Sequence, residues 1–192
     1  MAYTTIDKPS DYFNTVLWTG NSGTNAIATG NATDMVWLKW RGGSNNHQLQ
    51  DIIRGVTKPI FPNTNSAEST VSPSITAFTS TGFTLGNDGG DYNYSGREYV
   101  GWSWKANGSG SSNGTGSITA TVSANTTSGF SIVSYTGNGS NGATIGHGLG
   151  AAPKMVIIKK RSNTAQWAVG GTNIDSTFNG YLFLDGYAAM AT

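Results

Sequence analysis

The sequence predicts an all-β chain built as antiparallel β-sandwiches, on three observations. Helical periodicity is nearly absent from the 192 residues. Short apolar runs, alternating or continuous, recur between turns rich in Gly, Asn, Ser and Thr, which is how strands and their connections read. FNTVLWTGN, starting at Phe13, returns as FSIVSYTGN starting at Phe130, 117 residues on, with five of nine positions identical.

Along the chain, residues 1–11 form a polar N-terminal arm. Residues 12–106 hold a first sandwich domain. TVLWTG is its first strand, ended by a Gly turn, and DMVWLKW is a continuous apolar run suited to a strand covered on both faces. HQLQDIIRGV is the best helical candidate, with Leu49, Ile52, Ile53 and Val56 at helix spacing. It is short and Gly55 interrupts it, so it reads as one or two turns or as a strand pair. SITAFTS, GFTLG and REYVGWSWKA follow as strands. In the last, Val100, Trp102 and Trp104 share one face and Tyr99, Gly101 and Ser103 the other, and the tryptophan face is assigned to the core.

Residues 107–117, NGSGSSNGTGS, carry no apolar side chain and read as a flexible linker. Residues 118–192 then repeat the first domain in part. DMVWLKWR from Asp34 is matched by KMVIIKKR from Lys154, 120 residues on, and PIFPN is matched by YLFLD. A period near 120 residues is too long for a solenoid unit and fits a tandem sandwich. The second copy stops before counterparts of the last three strands, roughly 35–40 residues short by this offset. The expected completion is, in this order, further chain, or strands from a neighbouring subunit, which would make an obligate oligomer, or none, the second copy having become a different, smaller element.

Charged residues make up 11% of the chain, against about 25% in an ordinary soluble domain. Net charge is +1, and the longest basic run is Lys159-Lys160-Arg161, too little for the several phosphate contacts of a nucleic-acid binder. No cysteine is present, which excludes disulfides and thiolate metal sites. No apolar run approaches the ~20 residues that span a bilayer, and the N-terminus lacks the basic and apolar regions of a signal peptide. Neither nucleic acid nor membrane is expected as a partner.

Catalytic patterns are missing. There is no G-x-S-x-G elbow and no closely spaced acid pair of the kind that would put two carboxylates on one strand or helix face. His47 and His147 lie in unrelated contexts and read as turn residues. No enzyme is expected. The loop NDGGDYN places Asp88, Asp91 and Asn93 together, and such oxygens in a tight Gly-rich loop can hold calcium, although the same residues make a plain hairpin loop. The other candidates are aromatic. Trp40 is matched by Lys160, a replacement that a core position resists, so Trp40 is placed at the surface or at an interface. Tyr92 and Tyr94 lie in the acidic loop, where exposed rings beside Asn and Asp suit sugar stacking or protein contact.

Four stretches together, AYTTIDKPSDYFNTVLWTGN, GFSIVSYTGNGSNGATIGHGLGAAPKMVIIKKR, FTSTGFTLG and YVGWSWKANGSGSS, resemble a repeat domain of virion structural proteins from marine tailed phages, cyanophages included. The resemblance implies a jelly-roll sandwich similar to laminin-G or concanavalin modules. It implies a fibre, appendage or capsid-decoration role on the outer surface of head or tail, with other virion proteins and sister chains as partners. Residues 2–13 would then dock the subunit. A lectin-like module that binds host-surface glycan is the alternative.

Overall fold

The computed structural model describes residues 6–87, 91–187 and 189–192. After a 3-10 turn at Pro9–Asp11, the first unit contains β1 (Phe13–Thr19), β2 (Asn25–Ala28), β3 (Met35–Trp40), β4 (Gln48–Asp51), β5 (Ile75–Thr79), β6 (Gly82–Leu85) and β7 (Glu98–Trp104). These form a four-stranded sheet of order β1-β7-β3-β4 and a three-stranded sheet of order β2-β6-β5, antiparallel throughout. The two sheets enclose a core of Ile27, Val36, Leu38, Ile75, Phe83, Leu85 and Tyr92, with Val16 and Trp18 packed against it. Full burial of such a side chain is worth roughly 1.5–3 kcal/mol. HQLQDIIRGV supplies β4 and a turn, and no helix.

The alternation of β7 is as expected, but its faces are reversed. Tyr99, Gly101 and Ser103 face the core and are buried, while Trp102 and Trp104 lie half-buried on the outer face. Trp18 explains this. Its ring stacks on Tyr99 at 5.5 Å and meets Phe83 edge-on at 5.8 Å, filling the interior that tryptophans on β7 would need. A Cβ at position 101 would stand 3.0 Å from the Trp18 ring, so β7 turns its smallest residues inward.

The glycine-rich stretch 107–117 differs from the expected loose linker. It contains β8 (Ser111–Asn113), which pairs with β9 (Ala120–Asn125), itself joined as a hairpin to β10 (Phe130–Tyr135). Its entry is pinned by buried Asp34, whose Oδ2 accepts the N–H of Ala106 at 2.7 Å and of Gly108 at 3.3 Å. Backbone hydrogen bonding, not side-chain burial, orders this segment, and composition is blind to it.

A last three-stranded sheet follows, β11 (Met155–Ile158), β12 (Ala168–Gly171) and β13 (Leu182–Phe183). β11 pairs with β12 as Met155↔Gly171, Val156↔Gly170, Ile157↔Val169 and Ile158↔Ala168. Each pair lies 120 residues beyond its counterpart in the β3–β4 ladder, Met35↔Asp51 to Leu38↔Gln48. The flanking bonds repeat too, with Ile52 N–H donating to Asp34 and Thr172 N–H to Lys154.

The two units are joined by a polar seam. Trp167 is buried against Leu49 and Ile60, and its indole N–H donates to the carbonyls of Phe61 and Thr64 at 3.0 Å each. Arg161 grips Glu68 with two bonds, Nε to Oε2 at 2.9 Å and Nη2 to Oε1 at 3.0 Å. Glu68 also accepts from Arg54, which reaches Asp51. Burial disfavours the charge on Glu68, but the hydrogen bonds and charges of Arg161 and Arg54 outweigh it and hold this carboxyl below the usual glutamate range.

Candidate functional site

The most developed surface cluster lies where β3 ends and β7 begins. Register places Trp40 opposite Tyr99, and the next rung is closed by Arg41 N–H donating to Glu98 O at 2.8 Å. The preceding turn, Tyr94 to Arg97, is closed by Arg97 N–H to Tyr94 O at 3.1 Å. The Arg97 guanidinium therefore arrives over two rings at once, 3.9 Å from the Trp40 centroid and 4.6 Å from that of Tyr94. Such cation–ring contacts contribute roughly 0.5–1 kcal/mol at exposed sites.

The Trp40 ring also rests against its own turn. A Cβ at Gly43 would stand 2.0 Å from ring carbon Cζ3, so only glycine lets the indole lie flat there. Lys39 ties this turn together, donating from Nζ to the carbonyls of Trp40 and Gly43. Burial lowers the pKa of Lys39. Around the stack stand Arg41 paired with Glu98 at 3.2 Å, and Asn45 hydrogen-bonded to Asp91. The result is a half-buried indole, a planar cation and an exposed phenol with amide and carboxylate groups at the rim. It can stack a flat or ring-shaped ligand face and hydrogen-bond its edge. It contains no activated nucleophile.

Of the residues expected at the surface, Trp40 and Tyr94 are brought together, Tyr94 being 46% exposed. Tyr92 is not with them. It is 1% exposed, belongs to the sandwich core, and accepts the Trp18 indole N–H on its carbonyl at 3.3 Å. Two residues apart in irregular backbone, Tyr92 and Tyr94 take opposite sides. Arg97, the centre of the cluster, carries one signal in the sequence, its place between the aromatic loop and the strand that pairs with the Trp40 strand.

The calcium candidate does not survive at Asn93. That side chain is fully buried: Oδ1 accepts from Asn21 N–H at 3.1 Å and Asn25 Nδ2 at 2.9 Å. Its Nδ2 donates to Asn21 Oδ1, Gly23 O and Gly86 O. Asn93 is a clamp for the Thr19-Gly20-Asn21 turn, with no lone pair to spare for a cation. Asp91 is exposed and engaged with Asn45, and Asp88 lies outside the described residues. Among the described residues no group of three or more His, Asp or Glu side chains could hold a metal.

The histidines serve local structure. His47 Nδ1 accepts the Trp37 indole N–H at 3.1 Å, and burial, assisted by the charge of Lys39, keeps its pKa low. His147 Nδ1 accepts from Leu149 N–H at 3.2 Å, and its carbonyl accepts from Ser131. Among the described residues no helix is long and apolar enough to cross a membrane.

The family described as "Domain of unknown function (DUF7483)" matches residues 8–192. No curated protein and no solved structure matches the chain.

Proposed function

The chain belongs to the DUF7483 family, and from that premise we propose that it is a structural subunit of a tailed-phage virion, a fibre, appendage or decoration protein that works by assembly and not by catalysis. One observation carries the assembly reading. Exposed large apolar side chains concentrate in the last sheet and the segment after it: Met155, Ile157, Ile158, Leu182, Leu184 and Met190. Apolar surface of this kind, strung along strands, is covered by protein in a working assembly. The virion role rests on the sequence resemblance given above, and a stiff, sparsely charged all-β body suits a subunit that projects into salt water, where charges are screened. Sedimentation across a hundredfold concentration range tests assembly, with a self-associating species expected. A monomer throughout overturns self-assembly. Peptide mapping of purified particles encoding the chain tests its place in the virion, and its absence there overturns that role.

A second reading, host-glycan binding, is favoured by the Trp40–Arg97–Tyr94 stack with its polar rim. A glycan array run with and without calcium tests it. Hits that disappear in Tyr94→Ala support the reading, and an empty array sinks it.

A further inference from the structure

We propose that the exposed turn after β10, residues 136–142, is a self-modification site: Asn138 and Asn141 convert through a cyclic imide to aspartate and isoaspartate, while the fold holds back the chain's other Asn-Gly pairs.

The chain has five such pairs, beginning at Asn107, Asn113, Asn138, Asn141 and Asn179. A glycine after asparagine has no Cβ to keep its backbone nitrogen from the side-chain amide. The reaction needs only the chain and water. Gly139 N gives its proton to a base in solvent and attacks Asn138 Cγ. The new C–N bond closes a five-membered ring, and the Cγ–Nδ2 bond breaks to release ammonia. Water then opens the ring at either carbonyl, giving aspartate or isoaspartate. Nothing is oxidised or reduced.

The state of the glycine N–H separates the five pairs. Gly108 N–H is held by Asp34 Oδ2 at 3.3 Å, and Gly180 N–H by Asp175 Oδ2 at 2.7 Å. Asn113 is paired with Ala120 in the β8–β9 ladder, so its backbone must leave the ladder before the ring can close. Gly139 and Gly142 donate to nothing among the described residues, and every residue from Tyr135 to Gly142 is exposed. Space alone does not discriminate, because a Cβ at Gly108, Gly114, Gly139 or Gly142 meets nothing within 4 Å.

Asn138 has a further aid. Its Oδ1 accepts the N–H of Ser140 at 3.0 Å, a donor already aimed at the oxygen that becomes anionic when Gly139 N adds. The first unit supplies an internal control. Asn21 Oδ1 accepts from Gly23 N–H at 2.9 Å in the same local turn, but the N–H of the intervening Ser22 is held by the Asn93 carbonyl at 2.7 Å. The turn that is locked in one copy is open to attack in the other. Each conversion puts a carboxylate on a turn that has no charged residue. It lowers the net charge of +1 by one, so two conversions bring it to −1.

The test incubates the full chain in warm, mildly alkaline buffer and follows conversion by peptide mapping, with aspartate and isoaspartate separated by chromatography. Asn138 and Asn141 are expected to convert at least about tenfold faster than Asn107, Asn113 and Asn179, since a hydrogen bond or a ladder must break before attack at those three. In denaturant all five should approach one rate. Asp175→Ala, which removes the acceptor of Gly180 N–H, is expected to raise the Asn179 rate at least about tenfold and leave Asn107 and Asn113 unchanged. Gly139→Ala should slow Asn138 and spare Asn141. Equal rates at all five pairs in the folded chain, a lead by any of the three protected pairs, or an Asn179 rate indifferent to Asp175→Ala overturns the proposal.

Discussion

Leu38 and Ile158 occupy the same rung of the same hairpin, 120 residues apart, yet Leu38 is 1% exposed and Ile158 is 47% exposed. The chemistry of the two side chains is nearly equal, so the difference lies in what surrounds them. The first hairpin is paired by β7 and roofed by β5 and β6. The second has its register, its turns and its flanking bonds, and no second layer among the described residues. Local sequence is therefore enough to set a strand pair, while burial is decided by strands far away in the chain.

The comparison can be broken most severely at the seam. Trp167→Ala removes a buried indole and both its bonds, and is expected to cost about 3–5 kcal/mol. Chemical denaturation should then show the second unit melting ahead of the first; a transition unshifted from that of the parent chain would mean that the Trp167 contacts contribute nothing to holding the second unit.

Asn93→Ala strikes the first unit alone. It strands the buried partners of the clamp and is expected to cost about 2–4 kcal/mol. Exchange should accelerate at Asn21 and Asn25 and stay unchanged at Asn138, whose turn has no such clamp; equal acceleration at Asn138 would refute the assignment.

Glu68→Gln sharpens the comparison more gently. It leaves Arg54 and Arg161 without their shared carboxylate and is expected to cost about 1–3 kcal/mol, measured by urea titration. Acid should imitate it. Glu68 is held below the usual glutamate range, so its contribution is present above the unfolded value and is lost as pH falls through the lower folded one. In Glu68→Gln this part of the pH dependence should vanish.

Tyr94→Ala should have the smallest effect on stability, within ~0.5 kcal/mol for an exposed ring. A loss larger than 1.5 kcal/mol would show that the stack serves the fold and not a ligand.

Much of this was legible. Strand positions followed from alternation, and the repeat located β10 and β11 from β1 and β3. Alternation divides a strand into two faces without saying which is inside, and for β7 that depended on Trp18, more than eighty residues earlier. The order of residues 107–117 comes from the β8–β9 ladder and from the Asp34 carboxylate at its entry, which leave no mark on composition. Tyr92 and Asn93 looked like ligand residues because loop residues and clamp residues share one alphabet of Asn, Asp and Tyr. Trp40 is half-buried, and its counterpart Lys160 is the signal that sets it apart from the core tryptophan Trp18.

The Asp34 carboxylate has a mechanical consequence. By holding the N–H groups of Ala106 and Gly108, it anchors the exit of one unit to the entrance of the next at a point inside the first. A glycine-rich stretch would ordinarily act as a hinge with a wide cone of motion. Here it acts as a rivet, and together with the Arg161–Glu68 grip it gives the pair two attachment points, which resist twisting as well as bending. A load applied along the chain would pass through these bonds before any tether could pay out, so the unit joint is built for stiffness and not for reach.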